Sequence, residues 1–419
     1  MKKKMLALAL VSCLAASMLA GCGGSAPAAE SAPAAAEETA EAAPAEAAEE
    51  AAPAEAAEEA APAEGAVFKI GVIGPLTGGA AAYGLAVQYG AEIAVEEINE
   101  AGGINGYQVE LKCEDDELDA QKSVNAYNTL VDWGMQFLNG SVTSACSIAV
   151  SESTKNDNMF QLTPSGSAAD CVNYDNVFRV CFSDPNQGTA SAQYIGEHLD
   201  ATKIGVIYDS SDVYSSGIYQ TFAMEAPNQG LEIVSEEAFT ADSKTDFSVQ
   251  IQKAKDAGAE LVFLPIYYQE ASLILQQAAT AGFDPIWFGC DGMDGILGVE
   301  NFDTSLAEGL MLLTPFAADA EDELTKNFTA KYTERYGIVP NQFGADSYDA
   351  IYAIKAAAEK AGVTPDMSVS DICEAMKTAM TEITISGLTA EEMSWEASGE
   401  PNKAPKAVVI ENGTYVLAD

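Results

Sequence analysis

One histidine in 419 residues leaves almost no room for imidazole chemistry. His198 lies between Glu197 and Asp200 in a helix-period stretch and reads as a solvated side chain, yet any Ser-His-Asp triad would have to use it. Positive charge is also scarce, with 20 Lys+Arg against 64 Asp+Glu and a formal net charge of -44. Such a surface repels phosphate backbones, so no nucleic-acid partner is expected. The cysteines form no C-x-x-C, which removes zinc ribbons and thioredoxin-type sites. No G-x-x-x-x-G-K-[ST] occurs, so nucleotide hydrolysis would belong to another subunit. After the first 22 residues there is no run of about 20 apolar residues, hence no expected membrane span. Glu114-Asp115-Asp116-Glu117 is the densest acidic run and reads as a solvated or loop segment rather than a catalytic pair. No metal, cofactor or catalytic residue is expected, and the chain does not read as an enzyme.

What is present begins with an export signal. Lys2, Lys3 and Lys4 precede an apolar stretch over 5–19, and Leu19-Ala20-Gly21-Cys22 closes it. That ending resembles a bacterial lipobox, which makes Cys22 the expected acylation site and 1–22 a lipoprotein signal. Lipid chains, at ~0.8 kcal/mol per buried CH2, then hold the chain on the outer face of the cell membrane or in the periplasm. Residues 23–66 are nearly all Ala, Pro, Glu, Ser and Gly, with Ala-Pro-Ala-Glu-Ala-Ala-Glu-Glu-Ala starting at Ala43 and again at Ala52. This segment has little to bury and reads as a self-repelling spacer.

Roughly 350 residues remain, more than one hydrophobic core usually serves, so two lobes are expected. Apolar strand-like runs alternate with helix-period stretches from Phe68 onwards, for instance strands at 109–113, 160–163, 204–208 and 261–264 with helices at 84–101, 120–133, 185–199 and 270–281. Such alternation predicts α/β layers with parallel sheets and right-handed crossovers. It restarts at Asp184-Pro185-Asn186-Gln187-Gly188, where Pro185 suits the first turn of a helix. In the body, Cys171 with Cys181 or Cys113 with Cys146 are near enough to bridge, with connectivity left open.

Four stretches carry a resemblance: Gly71-Val72-Ile73-Gly74-Pro75-Leu76-Thr77-Gly78, Ala101-Gly102-Gly103-Ile104-Asn105-Gly106, Thr163-Pro164-Ser165 and Phe178-Arg179-Val180. In this order and spacing the chain resembles the type I periplasmic binding proteins, in the branched-chain amino-acid (Leu/Ile/Val) binding branch of ABC transporters. The resemblance implies two Rossmann-like lobes joined by a three-segment hinge, with crossings near Asp184, Thr314 and Gly387. The lobes would be 67–184 plus 315–386 and 185–314 plus 387–419. It further implies a monomer that closes around an α-amino acid and hands it to a permease.

Residue by residue, Ser144 matches the carboxylate-binding serine, at the start of a helix expected from Ala145, where free N–H groups also attract anions. Ser167 matches a second hydroxyl donor, and Ser165 would offer its carbonyl to the ammonium. Asp291 matches an acidic ammonium partner that is usually Glu in the family. Tyr214 and Tyr267, with Tyr268 as the alternative one position on, match ligand-contacting tyrosines, and Tyr83 and Phe343 match walls of the side-chain pocket. Taken singly, Ser144 is an ordinary helix cap, the Ser165 loop ordinary turn chemistry and the aromatics ordinary packing. Leu, Ile or Val is the family default, while aromatic amino acids, amides, urea and service to a separate sensor stay open.

Overall fold

The computed structural model describes residues 65–418. The leader, Cys22 and the Ala/Pro/Glu segment up to residue 64 lie outside the described residues.

Five strands make the first sheet: β1 (Val67–Gly74), β2 (Gln108–Asp115), β3 (Phe137–Asn139), β4 (Phe160–Thr163) and β5 (Val177–Arg179), all parallel in the order β2-β1-β3-β4-β5. The central strands are covered on both faces, which is why they read as continuous apolar runs rather than alternating ones. Helices α1 (Ala81–Glu100), α2 (Ala120–Trp133) and α3 (Ser144–Asp157) connect them. The Asp119 carboxylate caps α2 by accepting from the Gln121 and Lys122 N–H groups, and Gly134, at φ 88, ends it.

With α4 (Asp184–His198) the chain enters the second lobe, where α4 packs on α5 (Val213–Glu225). Strands β6 (Lys203–Asp209), β7 (Glu232–Phe239), β8 (Leu261–Leu264), β9 (Ile286–Gly289) and β10 (Met311–Thr314) run parallel in the order β7-β6-β8-β9-β10, with α6 (Ser248–Asp256) and α7 (Tyr268–Thr280) between them. The second sheet therefore repeats the strand order of the first.

After β10 the chain returns to the first lobe. Helices α8 (Glu323–Tyr336), α9 (Gln342–Ala361) and α10 (Val369–Met380) follow, with α9 packed along α1 and α10 against α9 and β4. The α1–α9 contact is intimate, since a Cβ on Gly90 would lie 2.0 Å from the Gly344 carbonyl oxygen. Past Gly387 the chain stays beside the first lobe instead of crossing. The short pair β11 (Thr384–Ile385) and β12 (Met393–Ser394) forms there, the Leu388 and Thr389 amides donate to Asp349, the Trp395 indole donates to the Arg179 carbonyl (2.7 Å), and Lys403 pairs with Asp346 (2.5 Å). Two buried carboxylates on α9 thus hold the returning segment, and the second sheet is rejoined only at β13 (Lys406–Glu411). It pairs antiparallel with β10 and with β14 (Thr414–Leu417) through a two-residue turn with Asn412 and Gly413 both at positive φ.

Neither candidate cysteine bridge is formed: all six described cysteines are free thiols, and only Cys113 is not fully buried. Burial pushes Cys113, Cys146, Cys171 and Cys373 up to about 12, which makes them poor nucleophiles. Among the described residues no helix is long and apolar enough to cross a membrane.

Candidate functional site

The carboxyl ends of the two sheets face each other across a narrow, nearly closed crevice, the place where open α/β sheets bind ligands. All eight residues singled out in the sequence line it: Ser144, Ser165, Ser167, Tyr83 and Phe343 from the first lobe, Tyr214, Tyr267 and Asp291 from the second. Val142, Thr143 and Gly292 complete the lining. Among the described residues no Lys or Arg does, and Asp291 is the only carboxylate on the wall.

The first-lobe wall is made of donors. Helix α3 starts one residue earlier than expected: Thr143, extended at φ -96 and ψ 153, is the N-cap, and Ser144 is already helical. Its hydroxyl oxygen accepts from the Ala168 N–H (3.0 Å), leaving the hydroxyl hydrogen available. The first amides of α3 have no partner one turn back, as at any helix start, and so favour an anion. Ser165 ties its own side chain back to the Val142 carbonyl (2.7 Å). Ser167, 1% exposed, has its hydroxyl beside the buried Asp184 carboxylate, whose charged form it favours.

The second-lobe wall holds the charge. The Asp291 carboxylate accepts from the Tyr214 hydroxyl (2.7 Å), which itself accepts from the Gly292 N–H (2.9 Å), and the Asp291 amide donates to Gln187 Oε1 (3.2 Å). Tyr214 stacks on Tyr267 at 5.0 Å between centroids, and Tyr83 lies 4.3 Å from Phe343 and 5.6 Å from Tyr267. The Tyr83 hydroxyl donates across the crevice to the Gly292 carbonyl and accepts from the Tyr268 N–H (3.3 Å). Tyr267, rather than Tyr268, lines the crevice; the Tyr268 hydroxyl accepts from the Ala82 amide (3.2 Å).

The profile of the periplasmic binding protein family matches residues 67–413. The chain belongs to that family. Among its relatives, the Leu/Ile/Val-binding protein homolog 3 of Brucella melitensis is 34% identical over 310 residues, covering 72% of this chain and 81% of the relative. The leucine-, isoleucine-, valine-, threonine- and alanine-binding protein of Pseudomonas aeruginosa is 30% identical over 312 residues, covering 73% and 82%. A solved structure of the Streptococcus pneumoniae branched-chain amino-acid binding protein LivJ, in complex with isoleucine, superposes with a TM-score of 0.77 at 28% identity over 84% of this chain and 99% of that one. The Thermotoga maritima leucine-binding protein LivK superposes at 0.76, also 28% identical, over 84% and 98%. The two-lobed type I architecture expected from the sequence is the one these structures share.

Three polar groups of this periplasmic binding protein escaped sequence reasoning. Asp184, anticipated only as a crossing point, is 1% exposed, with the Ser167 hydroxyl and the Arg179 charge beside its carboxylate. Its place in the first turn of a helix is so ordinary for an aspartate that nothing in the sequence sets it apart. Gln187, one turn on in α4, grips the Asp291 amide. Gln342, at the start of α9, bonds across the lobes, its side chain donating to the Asp291 carbonyl (3.0 Å) and its amide to Asp294 (2.9 Å).

Burial raises the acids around the crevice. Asp291 is pushed up to about 7, with the Tyr214 hydroxyl pulling the other way, and Asp294 to about 6. Asp184 rises well above the usual carboxylate range for the same reason. A carboxyl whose native value exceeds its unfolded one keeps its proton longer when folded, so stability declines as pH climbs from about 4 to about 7 and levels off above. Scanning calorimetry of the ligand-free protein is expected to give a higher Tm near pH 5 than near pH 8, and Asp291→Asn to shrink that difference. A slope in Asp291→Asn equal to that of the parent chain contradicts the assignment.

Proposed function

We propose that this periplasmic binding protein is the exported, lipid-anchored solute-binding component of an ABC amino-acid importer. It takes an α-amino acid into the crevice, branched-chain by preference, and passes it to a membrane permease without chemical change. Cys22 carries the lipid, and the protein acts as a monomer.

One observation carries the reading: hydroxyl and amide donors on one lobe face a lone carboxylate on the other across a desolvated gap. That pattern complements a small zwitterion. Its carboxylate meets the Ser144 and Ser167 hydroxyls and the first amides of α3; its ammonium meets Asp291 and the Ser165 carbonyl. Tyr83, Phe343, Tyr214 and Tyr267 enclose the side chain. Opposite charges are needed together, because a lone charge in such a place carries a penalty of several kcal/mol. Closure by hinge bending is the expected motion.

A thermal-shift panel of Leu, Ile, Val, Thr, Ala, Phe, urea and benzoate on the chain from Gly23 tests this, since a ligand at 100 times its Kd adds about 2.7 kcal/mol. Branched-chain amino acids are expected to raise Tm most. The Ser144→Ala/Ser167→Ala double variant is expected to lose the shift while keeping its ligand-free Tm within a few degrees. A benzoate shift without an amino-acid shift overturns the zwitterion reading.

A further inference from the structure

The crevice offers a carboxylate only neutral donors, and a buried cation stands directly behind them. Arg179, at the end of β5, is fully buried. Its guanidinium donates to the carbonyls of Gly166 (3.1 Å), Ser167 and Ala169 (3.4 Å), the backbone that follows Ser165. It also pairs with Glu400 (3.0 Å), whose side chain is 35% exposed, its charge reaches the buried Asp184 carboxylate, and its Nε has no hydrogen-bond partner among the described residues.

In a trans peptide unit the carbonyl and the N–H point opposite ways. Holding the Gly166 carbonyl therefore directs the Ser167 N–H away from the guanidinium. Holding the Ser167 carbonyl does the same for the Ala168 N–H, and that amide donates to Ser144 Oγ (3.0 Å). Once the Ser144 oxygen is engaged as an acceptor, its hydrogen is left to donate into the crevice. The chain of contacts runs from guanidinium to carbonyl, through one peptide dipole, to the hydroxyl that faces the ligand. Hydrogen bonds in such a series polarise one another, and a charge acts strongly where the surroundings are dry.

We infer that Arg179 is a positioning residue for ligand carboxylate: it orients the Ser144 and Ser167 donors and supplies, one layer back, the positive charge that the crevice wall lacks. This rests on the amino-acid reading above. Glu400 pairs with the same guanidinium and opposes its field.

A purely structural clamp would change stability and would weaken every ligand alike. The test is therefore a ratio, measured by calorimetry for the amino acid with the largest shift in the panel and for its carboxamide, which lacks the negative charge. Arg179→Met removes the charge while keeping much of the side-chain volume, and is expected to weaken the acid about tenfold, the scale of one charge-assisted hydrogen bond. The carboxamide is expected to change less, by about twofold. Glu400→Gln is expected to bind the acid more tightly than the parent, because an opposing charge has gone. Equal losses for both ligands in Arg179→Met, or unchanged or weaker binding of the acid in Glu400→Gln, overturn the inference. If Arg179→Met fails to fold, Glu400→Gln decides alone. A parent chain that binds no amino acid overturns the functional reading itself, an outcome visible before any variant is made.

Discussion

Asp291→Ala is expected to remove measurable amino-acid binding, a loss of at least about a hundredfold, while the ligand-free protein melts no lower than its parent. The size follows from what would remain. Truncating one member of a buried, hydrogen-bonded charge pair typically costs about 2–5 kcal/mol, much of it from leaving the other charge unpaired, and among the described residues Asp291 is the only carboxylate lining the crevice. The fold should tolerate the change because Asp291 is held near pH 7 by burial and is a burden on the empty protein once ionised. Its removal frees the Tyr214 hydroxyl, which still accepts from the Gly292 amide. Titration calorimetry at pH 8 reads the affinity and a melt reads the fold. Affinity within tenfold of the parent would remove the ammonium role from Asp291.

Lys403→Ala should be the most destabilising of the substitutions considered, by about 3–5 kcal/mol, the usual effect of stripping one partner from a buried ion pair. Lys403 is 5% exposed and Asp346 2%, and the Lys403 ammonium also donates to the Thr389 hydroxyl (2.6 Å). Burial has already pushed Asp346 up to about 6 even with the ammonium beside it. Without Lys403 the carboxyl would hold its proton to higher pH, so the loss should be larger at pH 8 than at pH 5. Urea denaturation at both values measures this, and Lys403→Met combined with Asp346→Leu should recover much of the stability, because a matched apolar pair is often neutral. An equal loss at both pH values would show that the ion pair does not account for it.

Much of this architecture is legible in the sequence because parallel strands buried on both faces leave unbroken apolar runs, and connecting helices leave a 3.6-residue period. The expected helix at 120–133 coincides with α2, where Asp119 and Gly134 bound it. The first turn of α7 begins before its expected start, at Tyr268 rather than Glu270. Helices α8 to α10 are not among the sequence expectations, although α10 buries Ile372, Met376, Ala379 and Met380 along one face behind a Ser368 cap; α9 is buried throughout its first half, so no polar face marks its start. Ser144, Ser165, Ser167, Tyr214, Tyr267 and Asp291 come together because each closely follows a strand end, a position readable from sequence, whereas Phe343 opens a helix that follows another helix. Gln187 and Gln342 act through contacts with a distant part of the chain, which no local pattern encodes. The late third crossing is hidden for the same reason: it depends on Asp346 and Asp349 meeting a segment 40 to 57 residues further on.

Both sheets run in the same order, so a solute between them is offered two scaffolds of one design. Nothing in that scaffolding tells head from tail. Under the proposed binding mode, the sense in which the guest lies comes from what each half adds to that common frame: serines, the first amides of α3 and Arg179 behind them on one side, Asp291 on the other.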